Sequence, residues 1–192
     1  MRTLADLDEK YIMRELKKRL EPKRYKHSLN VMKMAVTLAE KNGADVYNAK
    51  FAGLLHDVAK NMSNDDLVKY CDENGIIIDD IKRRSPGTLH AEVGADIAKK
   101  EFGANDDIAR AILYHTLANS EMTTLDKILY VSDLIEVGRD LEGVDEIREV
   151  ALENLNEGYY LSLLYCINNV KERGKELHPQ SLAALEVAKT QR

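Results

Sequence analysis

Helical periodicity is the feature that most constrains the fold of this chain. Apolar residues recur at intervals of three and four over most of its 192 residues, and no segment alternates apolar and polar residues as a half-buried strand does. Proline occurs only at Pro22, Pro86 and Pro179, so long segments contain no helix breaker. The pattern predicts an all-α fold, a single helical bundle over residues 1–192.

Helix start and stop signals divide this pattern into ten segments. The predicted helices lie at 5–20, 22–42, 45–60, 63–74, 88–102, 105–118, 123–138, 143–156, 158–173 and 180–190. Residues 76–88 are the least regular stretch, and we expect a short helix and a loop there. Residues 22–140 hold the candidate metal-binding core, and residues 143–190 are additional C-terminal helices.

Composition and charge argue against several classes of protein. The formal net charge of −5 disfavours a nucleic-acid partner, although it allows a small anionic substrate beside a bound metal. The two cysteines, Cys71 and Cys166, show no CxxC spacing, which fits a reducing compartment. The polar start predicts no secretory signal, and no apolar run is long enough to span a membrane. We therefore expect a cytoplasmic protein with no membrane partner.

Six polar side chains lie on helix faces that are otherwise apolar. For example, His27 precedes Val31 and Met34 by four and seven residues, and Asp133 follows Leu129 by four. One such histidine is more often a hydrogen-bonded core residue, and an unpaired carboxylate there is strongly disfavoured. The set, from five predicted helices, is His27, His56, Asp57, His90, His115 and Asp133. Converging imidazoles and carboxylates are divalent-metal ligands, so the set predicts a metal site. His178, beside Pro179, is expected in a surface loop instead.

Six ligands are more than one catalytic ion usually takes from a protein. We expect His27, His56, Asp57 and Asp133 to hold one ion. His90 and His115 then belong to a second ion, with Asp57 as the bridge. Two neighbouring ions suit the hydrolysis of phosphate esters and anhydrides.

These residues resemble the pattern of the HD-domain phosphohydrolase superfamily, H…HD…D, here His27, His56-Asp57 and Asp133. Within it, the chain is similar to the YqeK family of symmetrical diadenosine tetraphosphate hydrolases. The segments that carry the resemblance are AGLLHDVAK (52–60), LHAEVGADIAKKEFG (89–103), AILYHT (111–116), DKILYVSDLIEVGRD (126–140) and GVDEIREVA (143–151). The resemblance implies a fold of the HD type and cleavage of diadenosine tetraphosphate to two ADP at a two-metal site. It implies two iron ions, although such ligands also accept manganese, cobalt, nickel or zinc.

Further residues are matched to the family's motifs. Lys60, Thr116 and Arg139 are the candidate phosphate contacts, and Asp57, Lys60 and Arg139 form the candidate catalytic set. Glu136, one turn beyond Asp133, could orient a ligand histidine. The alternatives are a solvated helix end for Lys60, a surface ion pair for Arg139 with Asp140 or Glu142, and a surface charge for Glu136.

The chain departs from the family pattern at two places beside the expected substrate mouth. A glycine and a basic residue are expected soon after Thr116, but the sequence reads LANSEMT (117–123). A proline is expected after Glu136, where Val137 stands. The metal ligands are unaffected, whereas substrate preference and rate are left open.

Two other functions compete with this one. The first is a phosphohydrolase for another nucleotide, and the second is a metal-dependent or nucleotide-binding sensor without turnover. A ferritin-like di-iron oxidase is set aside because no histidine has a glutamate three residues before it. The apolar run YYLSLLYCI (159–167) fits either core packing or a homodimer interface.

Overall fold

The computed structural model describes residues 9–192, and this part of the chain contains helices but no strand. The predicted all-α class is thus confirmed. The elements are α1 (Glu9–Arg19), α2 (Pro22–Asn42), α3 (Val46–Leu55), α4 (Asn64–Glu73), α5 (Asp80–Arg84), a 3-10 turn (Pro86–Leu89), α6 (His90–Phe102), α7 (Asp106–Tyr114), α8 (Thr124–Ile135), α9 (Val144–Glu153), α10 (Leu155–Glu172) and α11 (Pro179–Thr190). Residues 5–8 of the first predicted helix lie outside the described residues.

Side-chain caps start several helices, as the sequence signals predict. Ser63 accepts a hydrogen bond from the Asp66 amide at the start of α4. Thr123 and Asp126 form a reciprocal capping box at the start of α8. These caps satisfy amides that have no partner inside the first turn of a helix.

The two predicted helices that end furthest ahead of their expected bounds, by five and four residues, end at ligand histidines of the candidate site. The predicted helix 45–60 ends at Leu55 and the helix 105–118 ends at Tyr114. In each case the next histidine turns its ring onto the last turn: His56 Nδ1 lies 2.8 Å from the Gly53 carbonyl oxygen, and His115 Nδ1 lies 2.6 Å from that of Ile112. Each ring thus contacts a carbonyl of the last helical turn, and the Ile112 carbonyl also accepts the His115 amide at 3.5 Å. Asp57 and Lys60 therefore lie in a turn beyond α3, where the Lys60 amide donates to the Asp57 carbonyl at 2.9 Å.

The helices pack around two clusters of buried apolar residues. The first is formed mainly by α1, α3, α4, α6 and α7, and the second mainly by α8–α11. α2 contributes Val31 to the first cluster and Leu38 to the second. A Cβ atom at Gly53 would lie 2.7 Å from Met32 Cα, so glycine allows α3 to approach α2 closely.

The apolar run on α10 packs into the second cluster. Tyr159, Leu163 and Ile167 are buried, and Leu161, Leu164 and Tyr165 pack against the same cluster. Core packing therefore accounts for much of this run. Among the described helices, none is both long enough and apolar enough to cross a bilayer.

Candidate metal centre

The six predicted ligands converge where five parts of the chain meet. His27 lies on α2, His56 and Asp57 follow α3, His90 begins α6, His115 follows α7, and Asp133 lies on α8. Three overlapping groups have ligand atoms within 4.8 Å of one another: His27, His56 and Asp57; His56, His115 and Asp133; and Asp57, His90 and His115. These separations are compatible with shared coordination spheres.

Asp57 presents one oxygen to each end of this cluster. Its Oδ2 lies 3.4 Å from His56 Nε2 and 3.8 Å from His27 Nε2. Its Oδ1 lies 3.4 Å from His90 Nε2 and 3.8 Å from His115 Nε2. A carboxylate in this position can bridge two ions. We call His27, His56 and Asp133 the carboxylate end, and His90 and His115 the imidazole end.

All four histidines direct Nε2 towards the cluster, because Nδ1 is engaged on the other side of each ring. Three rings contact a backbone oxygen with Nδ1; for His90 it is that of Gly87, at 2.6 Å. His27 Nδ1 instead lies 3.1 Å from Glu136 Oε1. Protonation of Nδ1 leaves the Nε2 lone pair available to a metal, an arrangement typical of ligand histidines.

The buried ring nitrogens provide a test of whether a cation fits. Nε2 of His27 and Nε2 of His56 are buried and have no hydrogen-bond partner. His27 Nε2 lies 2.9 Å from Asp133 Oδ1, but outside hydrogen-bond geometry. Unpartnered buried nitrogens beside two carboxylates would be costly in a purely structural core. A divalent cation resolves that cost, so the donor set fits a metal.

Charges at the carboxylate end keep both aspartates ionised. Burial raises the pKa of Asp57, but the neighbouring imidazoles outweigh it and hold the pKa well below its usual range. The same balance applies to Asp133, whose main partner is His27. Burial alone would lower the pKa of His56, whereas Asp57 and Asp133 together raise it.

At the imidazole end, the surroundings lower the pKa of a ligand histidine. Burial, followed by the His115 ring and the Lys60 ammonium, lowers the pKa of His90 to about 3. Burial also lowers the pKa of Lys60. The His90 ring is therefore neutral at physiological pH, as a metal ligand must be.

The other predicted site residues surround this cluster. Lys60 Nζ lies 3.0 Å from His90 Nε2, and Thr116 Oγ1 lies 3.2 Å from Nε2 of both His90 and His115. Arg139 Nη2 donates to Asp133 Oδ1 at 2.7 Å, so its ion pair is made inside the site and not with Asp140 or Glu142. Glu136 is buried against His27 and is not a surface charge.

Some residues of the site were not singled out from the sequence. Arg24 Nη1 donates to Asp57 Oδ2 at 2.8 Å, and its position one turn before His27 on α2 was the available signal. The Gly138 amide donates to Glu136 Oε2 at 2.5 Å, and a Cβ atom at Gly138 would lie 2.9 Å from that oxygen. Asn30 also bonds the Glu136 carboxylate, which helps to lower its pKa.

His178 lies away from the cluster, in the loop before α11. Its ring accepts a hydrogen bond from the Gln180 amide and caps α11, and its Nε2 lies 2.9 Å from Asp79 Oδ2. Only 12% of its side chain is exposed. The predicted loop position is therefore correct, and the ring in addition caps α11.

The altered segment after Thr116 contains a residue in a left-handed conformation. Ala118 has φ +61° and is buried. Glycine adopts such a conformation at no steric cost, which explains why a glycine is expected near this position. In this chain two hydrogen bonds from α11 hold the segment in place. Ser181 Oγ donates to the Leu117 carbonyl at 2.6 Å, and the Gln180 side chain donates to the Ala118 carbonyl.

Comparison with known proteins places this geometry in a family. The HD domain model matches residues 24–138. A symmetrical bis(5'-nucleosyl)-tetraphosphatase of Bacillus subtilis is 34% identical over 170 residues, which cover 86% of this chain and 89% of the relative. One of Staphylococcus aureus, with the same description, is 37% identical over 155 residues, 79% of this chain and 77% of the relative.

A solved structure agrees over almost the whole chain. It is a Clostridium acetobutylicum protein described as a predicted HD superfamily hydrolase involved in NAD metabolism. The two structures align with a TM-score of 0.93 at 36% identity, over 97% of this chain and 99% of the other.

Proposed function

Because the chain belongs to the HD-domain family, and within it to the symmetrical bis(5'-nucleosyl)-tetraphosphatases, we propose that its metal centre cleaves diadenosine tetraphosphate to two ADP. The enzyme class and the symmetrical cleavage follow from the relatives. The observation that carries the proposal is the position of Asp57, whose two oxygens face two separate groups of imidazoles.

The ligands divide between two divalent ions. His27, His56, Asp57 and Asp133 would hold the first ion, and His90, His115 and Asp57 would hold the second. When bound, such ions supply a water of lowered pKa and stabilise negative charge on phosphate oxygens. The finer proposal of iron rests on the resemblance to the family, because imidazole and carboxylate ligands suit several transition metals.

The remaining residues act on the substrate and on the ligands. Lys60, Arg139 and Thr116 bind phosphate oxygens, and Asp133 orients the Arg139 guanidinium through its Nε and Nη2 atoms. Glu136 accepts the Nδ1 proton of His27 and so keeps Nε2 free for the ion. Arg24 holds the Asp57 carboxylate at 2.8 Å and limits its rotation between the two ends.

Further parts of the proposal concern the whole protein. Residues 22–140 carry the chemistry, and residues 143–190 complete the wall of the substrate site. The substrate partner is a small nucleotide, and we expect a cytoplasmic protein, with a homodimer as an open alternative to a monomer. Light scattering of the metal-loaded protein would decide between the last two.

The deciding experiment joins metal content to product identity. Protein purified without oxygen should contain about two transition-metal ions per chain, with iron as the expected element. Such protein should convert diadenosine tetraphosphate to ADP as the sole product, and a chelator should abolish the conversion. AMP and ATP as products would contradict symmetrical cleavage, and tight nucleotide binding without ADP release would indicate a sensor.

A further inference from the structure

Two cavities adjoin the metal cluster, and they meet different ends of it. The first, of about 820 Å³, lies between α5, the 3-10 turn, α10 and the start of α11; we call it the nucleoside cavity. The second, of about 610 Å³, lies between the start of α2, Lys60 and residues 136–141; we call it the basic cavity. Both volumes lie in the range of small-molecule sites, about 300–1,000 Å³.

Each cavity is connected to one end of the cluster by residues of the site. Thr116 lines the nucleoside cavity, and its Oγ1 lies 3.2 Å from both ring nitrogens of the imidazole end. His27, Glu136 and Arg139 place the basic cavity at the carboxylate end, and Lys60, which also lines it, reaches to within 3.0 Å of His90 Nε2 at the imidazole end. The Asp57 carboxylate lies between the two ends, where the central phosphates of a tetraphosphate chain would be cleaved.

The walls of the nucleoside cavity suit a base. One face of α10 contributes Cys166, Asn169, Val170 and Arg173, at offsets of three, four and seven that place them together. Ile81 of α5 and Leu177 before α11 add apolar surface. Apolar walls with a few polar groups are typical of sites that enclose a ligand, and an asparagine amide can match both hydrogen-bonding groups of an adenine edge.

The basic cavity has a different lining. Among the described residues that line it, Leu141 alone has a purely apolar side chain. Five basic residues line it against three acidic ones: Lys23, Arg24, Lys26, Lys60 and Arg139 against Glu21, Glu136 and Asp140. The nucleoside cavity also has more basic than acidic residues in its lining, so charge does not separate the two cavities. The scarcity of apolar side chains does, because it gives a base little surface to pack against in the basic cavity.

We propose that the enzyme holds its symmetrical substrate asymmetrically. One nucleoside lies in the nucleoside cavity, while the other half is held in the basic cavity through its phosphates and leaves its base in solvent. The inference rests on the proposed function and goes beyond it, because symmetrical cleavage by itself requires only that the central anhydride be placed at the centre. Specificity for the base thus comes from one half of the substrate.

A substrate that has only one nucleoside tests the idea directly. Water added across the central anhydride of adenosine 5'-tetraphosphate gives ADP and pyrophosphate, as it gives two ADP from diadenosine tetraphosphate. We expect kcat/KM for the two substrates to agree within about fivefold, because only one base is enclosed. A loss of more than about a hundredfold with adenosine tetraphosphate would mean that both nucleosides are bound, and would overturn the proposal.

Substitutions in the cavity wall supply the second arm. Val170→Trp on α10 and Ile81→Trp on α5 fill the cavity from opposite walls. If one variant fails to fold, the other still tests the cavity. Each should raise KM about tenfold or more for both substrates, by the same factor, with metal content unchanged. Leu182→Trp, at an exposed position of α11 outside both cavities, is the matched control and should keep wild-type KM.

The affinity of the metal-loaded protein for ADP separates this inference from the proposed function. Calorimetry should show weaker ADP binding in Val170→Trp and Ile81→Trp than in Leu182→Trp. If the wild type releases ADP from diadenosine tetraphosphate but these variants bind ADP normally, the cavity assignment is wrong and the function stands. If the wild type releases no ADP, the function is wrong, and the ADP affinities still decide the cavity.

Discussion

The two ends of the metal cluster are built from different chemistry. The carboxylate end has Asp133 as its own carboxylate, with Glu136 behind His27 and Arg139 on Asp133. The imidazole end has two histidines braced by backbone carbonyls, shares Asp57, and has the Lys60 ammonium 3.0 Å from His90. An ion at the carboxylate end therefore meets more negative charge than one at the imidazole end.

This difference implies unequal affinities for metal. Anionic ligands bind a divalent cation more strongly than neutral rings beside a positive charge do. We expect the carboxylate end to fill first and the imidazole end to exchange its ion more readily. Thr116 connects the nucleoside cavity to the imidazole end, so the more weakly held ion would lie beside the proposed nucleoside.

The largest effect is expected where the ends meet. Asp57→Asn removes the charge shared by both ions and should reduce kcat/KM more than about a thousandfold. Elemental analysis should show less than half of the wild-type metal, while circular dichroism shows the helical fold. Asp107→Asn, at an exposed position of α7, is the control. Full metal content in Asp57→Asn would contradict the bridging role.

Loss of one histidine should distinguish the ends. His90→Gln should lower metal content by about one ion per chain, because the carboxylate end keeps all of its own ligands. His27→Gln should lower the affinity of the tighter ion and should leave less metal than His90→Gln. The metal content of both variants after gel filtration, at several chelator concentrations, measures these losses. Equal losses in the two variants would mean that the ends do not differ.

A change behind His27 should act on one end only. Glu136→Gln removes the carboxylate that accepts the Nδ1 proton, and loss of such a partner typically weakens metal affinity about 10–100-fold. The more weakly held ion should be unaffected. Competition with a chromogenic chelator would resolve the two ions. A parallel drop in both affinities would assign Glu136 a general structural role.

The metal-free protein should show opposite pH effects at the two ends. The pKa of His90 is lowered to about 3, so the unfolded chain binds this proton between pH 6.5 and 3 and the folded chain does not. The free energy of unfolding should fall as pH drops through that window, by at most about 1.4 kcal/mol per pH unit.

His56 has the opposite sign, because its pKa is raised and the folded state keeps the proton above pH 6.5. Its contribution to stability should therefore be lost as pH rises from 6.5. The free energy of unfolding of metal-free wild type, His90→Gln and His56→Gln should be measured by urea denaturation as a function of pH. The loss of stability below pH 6.5 should be smaller in His90→Gln, and the loss above pH 6.5 should be smaller in His56→Gln. Identical slopes in all three proteins would refute the assigned protonation states.

The smallest effect is expected next to the imidazole end. Ala118→Gly relieves a left-handed conformation that costs a non-glycine residue about 1–2 kcal/mol. It also removes a buried methyl group, worth about 0.8 kcal/mol, and makes the unfolded chain more flexible by a similar amount. We expect a change in stability below about 1 kcal/mol by urea denaturation, with kcat unchanged. A large destabilisation would show that the methyl group is essential to packing.

Much of the site could be predicted from helical faces. His27 and Asp133 were recognisable because a polar residue on an apolar stripe needs a partner, and six such residues implied a shared one. Where each helix stops could not be predicted from the apolar pattern. His56 and His115 end α3 and α7 by bonding carbonyls of the last turn, and no periodicity records such a bond.

The sequence by itself determined the helical class, the six candidate ligands and the direction in which His27 and Asp133 leave their helices, because periodicity specifies a side chain relative to its own axis. Only the tertiary structure decided that Asp57 faces both ends, that Arg24 and Gly138 complete the site, and that two unlike cavities adjoin it. Those features depend on distances between atoms of different helices, and close approaches such as that of α2 and α3 at Gly53 set those distances.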